Sequence, residues 1–192
     1  MGSGDFYSII FRMRFINRWG LMRNTQSENL MEHSMEVALI AHGLAVIGNV
    51  KFGADHDCDR IATAALFHDM NEILTGDLPT PVKYYNDAIR TAYKDIEKQS
   101  TDKLLSLLED DLRAEYEKAL DVTPEEKKLI KAADRLCAYI KCLDEISRCN
   151  RDFESAQRSI KADLDSFDCP ELNWFLANCL DSFSKTLDQV TL

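Results

Sequence analysis

The chain has 192 residues and 45% hydrophobic residues, so it is long enough for one domain with a hydrophobic core and short for two. It contains 7 Gly and 4 Pro, which disfavours all-β folds because those need many turn residues, and therefore favours helix. The net charge of −10 argues against a basic groove for a nucleic-acid polymer, and a phosphate-ester substrate would need a local cation in its site.

The cysteines and the apolar segments bear on cellular location. The chain has 6 Cys, and none of them forms a CxxC pair. The early apolar run over residues 9–16 is interrupted by Arg12 and Arg14, so it does not match a secretory signal. No apolar stretch reaches the roughly 20 residues that span a bilayer. We therefore expect reduced thiols in a cytoplasmic protein with no membrane anchor.

Hydrophobic residues recur at helical spacing along the chain, and no segment shows the alternation that strands require. The predicted helices run, in chain order, over residues 29–47, 58–74, 86–108, 123–148, 152–167 and 170–187. Loops are predicted at residues 17–28 and 76–84. We therefore expect an all-α bundle that forms a single domain over residues 1–192.

The clearest helix start lies at Thr123. Thr is a good N-cap, Pro124 suits the first helical position, and Glu126 completes a capping box. Apolar residues then follow at helical spacing as far as Ile146. This helix is therefore predicted to end near Arg148.

An apolar segment at residues 64–67 leads directly into His68 and Asp69. On a continuous helix, adjacent side chains diverge by about 100°, so these two would share an ion only at the edge between them. Glu72 lies one turn beyond His68 and overlooks the same edge. The pattern therefore predicts a cluster of polar groups with room for a cation.

His33, near the start of a predicted helix, and Asp134, beside a buried helical stripe, complete the set. An unpaired carboxylate at the edge of a core costs several kcal/mol or loses its charge, and a metal ion removes that penalty. Two imidazoles and two carboxylates suit one divalent transition metal ion, such as Mn²⁺ or Co²⁺, better than Ca²⁺ or a structural Zn²⁺. Six-coordination would leave two positions open for water and a substrate oxygen, as hydrolysis requires.

The spread of His33, His68-Asp69 and Asp134 resembles the H…HD…D signature of the HD-domain phosphohydrolases. Longer strings are similar to those of the bacterial HD-domain 5′-deoxynucleotidases, and the similarity is clearest between residues 15 and 143. These strings are residues 16–19 (INRW), 21–24 (LMRN), 32–34 (EHS), His68-Asp69 with Glu72, 74–84 (LTGDLPTPVKY), and 133–134 (AD) with 137–139 (CAY).

The resemblance implies an HD-type helical bundle that forms a homodimer and removes the 5′-phosphate from deoxyribonucleoside 5′-monophosphates. It implies that the metal ligands are His33, His68, Asp69 and Asp134, and that Glu72 handles protons or the attacking water, with Arg18 as a second catalytic residue that orients the phosphate. It also implies substrate contacts at Arg18, Trp19, His33, Asp69, Asp77, Leu78, Pro79 and Thr80.

The chemical properties of Arg18 and of the loop at residues 76–81 are consistent with the roles that the resemblance implies for them. The planar guanidinium of Arg18 can bind two phosphate oxygens at once and supplies the local positive charge that the acidic chain needs. Two prolines stiffen the loop at residues 76–81, so Asp77 could bind the 3′-OH of the sugar at a fixed distance. Preference for deoxyribose would then come from crowding of a 2′-OH.

Other interpretations remain open at this point. Trp19 can be plain core packing, Glu72 a solvated helix carboxylate and Asp77 a turn cap, while Lys83 fits a surface charge better than a phosphate contact. The same ligand set would also serve an HD hydrolase of a triphosphate, cyclic or signalling nucleotide. A non-catalytic nucleotide sensor on the same scaffold is a further alternative.

Overall fold

The computed structural model describes residues 4–83 and 85–190, and the side chain of Thr80 lies outside that description. Within these residues the chain is helical and contains no strand, so the predicted all-α fold is confirmed. The assignment of residues 1–192 to one domain stays a prediction. The helices are α1 (Gly4–Ile10), α2 (Leu30–Phe52), α3 (Cys58–Leu66), α4 (Glu72–Thr75), α5 (Thr80–Lys83), α6 (Asp87–Leu105), α7 (Asp110–Leu120), α8 (Pro124–Ser147), α9 (Glu154–Asp165) and α10 (Pro170–Asn178).

Helix α2 is the central element, and α3, α8 and α10 pack against it. Asn29 caps its first turn through a capping box with Glu32, and the helix ends at Gly53, whose φ of 69° is the left-handed conformation that glycine adopts without strain. The larger hydrophobic core lies between α2, α3, α8, α9 and α10. A smaller one joins the N-terminal segment to the C-terminal end of α6.

The predicted start of α8 is confirmed. Thr123 caps the helix, Pro124 occupies its first turn, and Glu126 closes the capping box by accepting a hydrogen bond from the backbone of Thr123. The helix ends at Ser147, one residue before the predicted limit. This agreement follows because capping chemistry is local and is readable from neighbouring residues.

The prediction of one helix over residues 58–74 is wrong. Helix α3 ends at Leu66, and a series of tight turns follows before α4 begins at Glu72. In these turns the backbone N–H groups of Phe67, His68 and Met70 donate to carbonyls three residues earlier. Such i→i+3 bonds tighten the chain beyond the α-helical pitch. His68 and Asp69 therefore lie on a turn, where adjacent side chains can converge.

Helices α6, α7 and α10 also differ from the prediction. Helix α6 ends at Leu105, before the predicted limit of residue 108, and it buries Leu104 but leaves Ile89 and Ile96 exposed. Helix α7 was not predicted; it contains no fully buried residue, so the strong core pattern that reveals a helix is absent. Helix α10 ends at Asn178, and short 3₁₀ turns replace its predicted continuation to residue 187.

Helix α2 is more apolar than the sequence interpretation allowed. It has 23 residues, and an 18-residue window has a mean hydropathy of 1.4, which is long and apolar enough for a membrane span by length and composition. Core helices of soluble proteins meet the same criteria. Three helices pack against α2, and this arrangement is that of a core helix.

A buried carboxylate ties the loop before α2 to α8. Glu145 is fully buried and accepts hydrogen bonds from the backbone N–H and the hydroxyl of Thr25, from Lys141 and from Asn150. Burial alone would raise the pKa of Glu145, but these hydrogen bonds lower it well below its usual range. The loop between Asn17 and Glu28 is therefore anchored at its middle.

We expect Glu145→Gln to lower the free energy of unfolding by about 2–3 kcal/mol at pH 7, because it removes the charge from a buried, fully paired site. A lowered folded-state pKa stabilises the fold above the unfolded value of about 4.3 and loses this effect as the pH falls through the folded value. The difference from wild type should therefore be constant above about pH 5 and narrow as the pH falls from there toward 3. Urea unfolding across that range measures it.

The matched control is Asp144→Asn, because Asp144 is the preceding residue on α8 and forms only a surface ion pair with Arg148. It should change stability by less than about 1 kcal/mol. Equal losses in the two variants, or a difference independent of pH, would contradict the anchoring role of Glu145.

Candidate active site

Three of the four predicted metal ligands, His33, His68 and Asp134, offer atoms within 4.8 Å of one another, and the fourth, Asp69, lies beside both histidines. Nε2 of His33, on α2, lies 3.1 Å from Oδ1 of Asp134 on α8 and 3.8 Å from Oδ2 of Asp69. Nε2 of His68 lies 3.0 Å from that same oxygen of Asp69. With metal–ligand bonds of about 2.0–2.2 Å, neighbouring ligand atoms lie roughly 3 Å apart, so the spacing fits one ion.

Both imidazoles present the same ring nitrogen to this point. Nδ1 of His68 is 2.7 Å from the backbone carbonyl of Ala65, so it donates there and leaves Nε2 as a lone-pair acceptor. That Nε2 atom is buried, and although it lies 3.0 Å from Oδ2 of Asp69, it makes no hydrogen bond of good geometry among the described residues. Nδ1 of His33 lies 3.2 Å from Oε1 of Glu28, outside good hydrogen-bond alignment. A buried nitrogen without a hydrogen-bond partner lowers the stability of the folded protein, and coordination of Nε2 of His68 to a metal ion would remove that penalty.

The negative charges in the cluster also favour the binding of a cation. Burial acts to lower the pKa of His68, but the charge of Asp69 outweighs burial, and the net pKa is about 9. Without a metal, Nε2 of His68 therefore attracts a proton, and a bound metal ion would take the place of that proton. Burial raises the pKa of Asp69, but His68 and His33 lower it to a net value well below its usual range. The carboxylates thus stay ionised and attract positive charge to the place where the two Nε2 atoms meet. The residues present therefore fit a divalent metal ion.

Glu28 links the cluster to two neighbouring residues. Its Oε1 accepts a hydrogen bond from Nε of Arg18 at 3.1 Å, and its Oε2 accepts one from Nε1 of Trp19 at 3.1 Å. An isolated antiparallel bridge between Asn17 and Asn29 sets the backbone of Arg18 opposite that of Glu28. One buried carboxylate therefore contacts Arg18, Trp19 and His33.

Arg18 lies at the edge of the four-residue cluster. Its Nη1 is 3.6 Å from Oδ2 of Asp69, and its side chain is 12% exposed. Burial lowers the pKa of Arg18, but the surrounding carboxylates, Asp134 first among them, raise it, so the guanidinium remains charged. Neither terminal nitrogen has a hydrogen-bond acceptor among the described residues, which leaves the fork of Arg18 able to bind an anion.

Trp19 adopts a strained backbone conformation. Its φ of 58° is in the left-handed region, which costs a bulky non-glycine residue about 1–3 kcal/mol. Its carbonyl accepts hydrogen bonds from the backbone of Met22 and the side chain of Asn24, and its ring lies 5.3 Å from that of Phe153. The surroundings thus hold Trp19 in a position that its own backbone disfavours.

Glu72 is not a solvated helix carboxylate. It is 2% exposed, and its Oε1 accepts a hydrogen bond from Nζ of Lys83 at 2.7 Å. Burial and the charge of Asp69 raise the pKa of Glu72 to about 7, while Lys83 opposes that rise. The interpretation of Lys83 as a surface charge is therefore wrong, because its ammonium group is committed to Glu72.

The loop predicted to hold the sugar lies close to these groups. Asp77, Leu78 and Pro79 are half-buried, and the charge of Asp77 raises the pKa values of both Arg18 and Glu72. Gly76, with φ at 73°, begins the loop in a conformation open to glycine. The expected contact of Thr80 with substrate concerns a side chain outside the described residues.

A second group of possible ligands adjoins the first. Glu28, His33 and Glu36 could offer atoms within 4.8 Å of one another. Glu28, however, already accepts hydrogen bonds from Arg18 and Trp19, and the charge of Arg18 repels a cation there. This group therefore supports the first cluster and is a poor site for a second ion.

Sequence reasoning missed Glu28 and the partner of Glu72. Glu28 directly precedes Asn29, the cap of α2, and lies five residues before His33. A carboxylate so close to a candidate ligand histidine was a usable signal, since ligating histidines often bond a carboxylate with their second nitrogen. Lys83 carried no comparable signal, because its contact with Glu72 depends on how α4 and α5 meet.

Comparisons with known proteins identify the family of this chain. A family model described as 5′-deoxynucleotidase YfbR-like matches residues 5–183. Proteins named 5′-deoxynucleotidase from Yersinia pestis and Yersinia pseudotuberculosis are 44% identical to this chain over 190 residues, which covers 97% of this chain and 96% of each relative.

Solved structures show the same fold at low sequence identity. An HD-domain phosphohydrolase from Listeria innocua has a TM-score of 0.82 at 22% identity, and the match covers 95% of this chain and 90% of the Listeria chain. The HD phosphohydrolase of cyanophage S-2L, solved with dA and one catalytic Zn²⁺ ion, has a TM-score of 0.64 at 22% identity and covers 93% of this chain and 96% of its own. From the length of the family match and the identity to its relatives, the chain belongs to the YfbR-like 5′-deoxynucleotidase family.

Proposed function

We propose that this protein hydrolyses deoxyribonucleoside 5′-monophosphates to deoxynucleoside and phosphate, with one divalent transition metal ion held by His33, His68, Asp69 and Asp134. The observation that carries this proposal is the convergence of two imidazole Nε2 atoms and two carboxylates beside an anion-binding arginine. The family relatives named 5′-deoxynucleotidase support the substrate class. The Zn²⁺ ion in the cyanophage neighbour supports a metal, and Mn²⁺ and Co²⁺ suit the ligand set equally well.

In this proposal the metal ion and the residues around the cluster contact different parts of the nucleotide. When bound, the ion polarises a phosphate oxygen and lowers the pKa of a water molecule. Arg18 binds the phosphate through its free terminal nitrogens, which the fork of a guanidinium does with two parallel hydrogen bonds. Glu28 keeps Arg18 and Trp19 in fixed orientations, and the ring of Trp19 lines the nucleoside side of the pocket.

Glu72 is the proton-handling group in this proposal. It is buried close to the cluster, and its pKa of about 7 is suited to gaining and losing a proton near neutral pH. Asp77, with Leu78, Pro79 and Thr80, holds the sugar. A rigid acceptor at the 3′-OH leaves little room for a 2′-OH, so selectivity for deoxyribose comes from exclusion.

We further propose that the protein is a cytoplasmic homodimer. The free state of all six cysteines supports a reducing compartment. The outward face of α2 supports a second copy as partner, because it exposes Met35, Leu39, Val46 and Val50 at helical spacing. An apolar stripe of this kind on a central helix is typical of a surface that another chain covers.

The first prediction for this function concerns substrates. With Mn²⁺ or Co²⁺, the purified protein should release phosphate from dAMP and TMP at least about tenfold faster, in kcat/KM, than from AMP. A phosphate-release panel measures this. If elemental analysis finds metal in the protein and no deoxynucleotide yields phosphate, the proposal is wrong. Release of pyrophosphate or triphosphate from dATP would instead indicate a different HD hydrolase.

A second prediction concerns the metal. His68→Ala should leave the protein folded but reduce the bound divalent metal per chain to a small fraction of the wild-type value, because it removes one of four ligands. Elemental analysis after desalting measures the metal, and circular dichroism checks the fold. His42→Ala is the matched control, since His42 is exposed on α2 away from the cluster. Equal metal content in both variants would refute the ligand assignment.

A third prediction concerns Glu28. Glu28→Gln should weaken metal binding by about 10- to 100-fold, because the carboxylate that fixes His33 and Arg18 is replaced by a neutral amide. Competition with a chromogenic chelator measures the affinity. Glu32→Gln is the matched control: it lies on the same turn, is exposed, and glutamine can still serve a capping box. An unchanged affinity in Glu28→Gln would show that Glu28 does not support the ligands.

A further inference from the structure

The ion pair between Lys83 and Glu72 has no role in the function proposed so far. Nζ of Lys83 lies 2.7 Å from Oε1 of Glu72, and the side chains are 21% and 2% exposed. A contact this short between two largely buried groups is strong, since water screens it little. Both partners flank the loop that carries Asp77: Glu72 begins α4 before it, and Lys83 ends α5 after it.

A third element holds the lysine in place. Nζ of Lys83 lies 5.1 Å from the centre of the Tyr93 ring on α6, within the range of a cation–π contact. The hydroxyl of Tyr93 is 3.3 Å from Oγ1 of Thr75, at the end of α4. The ammonium group is therefore enclosed by α4, α5 and α6, and it has little freedom to swing toward a ligand.

The two oxygens of the Glu72 carboxylate differ sharply. Oε1 is bound to Lys83, whereas Oε2 is buried and has no hydrogen-bond partner among the described residues. A buried carboxylate oxygen without a partner is costly, so its normal partner is a group that arrives from outside the chain. In a hydrolase pocket that group is a water molecule or a substrate oxygen.

We propose that Lys83 is a positioning residue for Glu72, which holds Oε1 so that Oε2 remains available to the attacking water or the leaving oxygen. The inference rests on the function proposed above. Lys83 also compensates the negative charge of Glu72 close to Asp69, and its own pKa is raised by Glu72, so it remains an ammonium ion. Lys83 acts through Glu72 and does not bind the phosphate itself.

A double-mutant cycle tests this inference. We measure kcat and KM for TMP with Mn²⁺ in wild type, Lys83→Met, Glu72→Gln and the double variant. Lys83→Met should lower kcat by about 10- to 100-fold and leave KM within about twofold, because a misplaced catalytic group loses rate more than binding. In the Glu72→Gln background the same substitution should cost nothing further, since the residue through which Lys83 acts is already disabled.

Two other variants serve as controls. Lys83→Arg should restore part of the lost kcat, because it keeps a cation beside Oε1. Lys98→Met removes the same charge from an exposed position on α6 and should behave as wild type. If Lys83→Met does not fold, as judged by circular dichroism, the cycle is measured with Lys83→Gln.

Each outcome is decisive. An undiminished kcat in Lys83→Met overturns the inference and leaves the proposed function standing. A raised KM with normal kcat, or effects that multiply in the double variant, would mean that Lys83 contacts the phosphate directly. A wild-type protein that releases no phosphate from any deoxynucleotide overturns the proposed function and this inference with it.

Discussion

One electrostatic constraint governs the candidate site. Two ionised carboxylates lie beside two imidazoles in a largely buried cluster (His33, His68, Asp69 and Asp134), and this arrangement favours a bound cation. Within the described residues, the Nε2 atom of His68 is buried without a partner, and the two carboxylates remain ionised beside it. Such an arrangement is costly as protein alone, because buried charge must be compensated. A divalent ion of the kind proposed above would compensate this charge and link the three segments that carry these residues.

The buried carboxylates near this point follow one rule: each is paired with a cation or with several donors. Glu28 accepts from Arg18, Glu72 from Lys83, and Glu145 from Lys141. The three pairs have different consequences. The pair of Glu28 and Arg18 orients residues at the cluster, and the pair of Glu72 and Lys83 leaves one carboxylate oxygen of Glu72 free. The pair of Glu145 and Lys141 belongs to the contacts that anchor the loop carrying Arg18. Three cationic side chains of an acidic protein are thus used to compensate buried carboxylates.

The sequence was sufficient where the governing chemistry is local. The capping box at Thr123 and the proximity of His33, His68 and Asp134 were both predicted, because spacing and residue type carry that information. It was insufficient where contacts depend on packing. Ile89 and Ile96 are exposed because the smaller core contains only Leu104 and Leu105 of α6, at its C-terminal end. The pairing of Lys83 with Glu72 follows from the meeting of two short helices, which no periodicity encodes.

The largest structural error, a continuous helix through residues 58–74, also reveals how the site is built. Two adjacent residues on an α-helix point about 100° apart, so a His-Asp pair cannot easily bind one ion from within a helix. Ending α3 at Leu66 and continuing in i→i+3 turns lets His68 and Asp69 approach to 3.0 Å. The last turn of α3 still contributes, because the carbonyl of Ala65 accepts the hydrogen bond that orients His68. The end of the helix is therefore part of the proposed metal site, and the break brings two neighbouring side chains close enough to serve as ligands together.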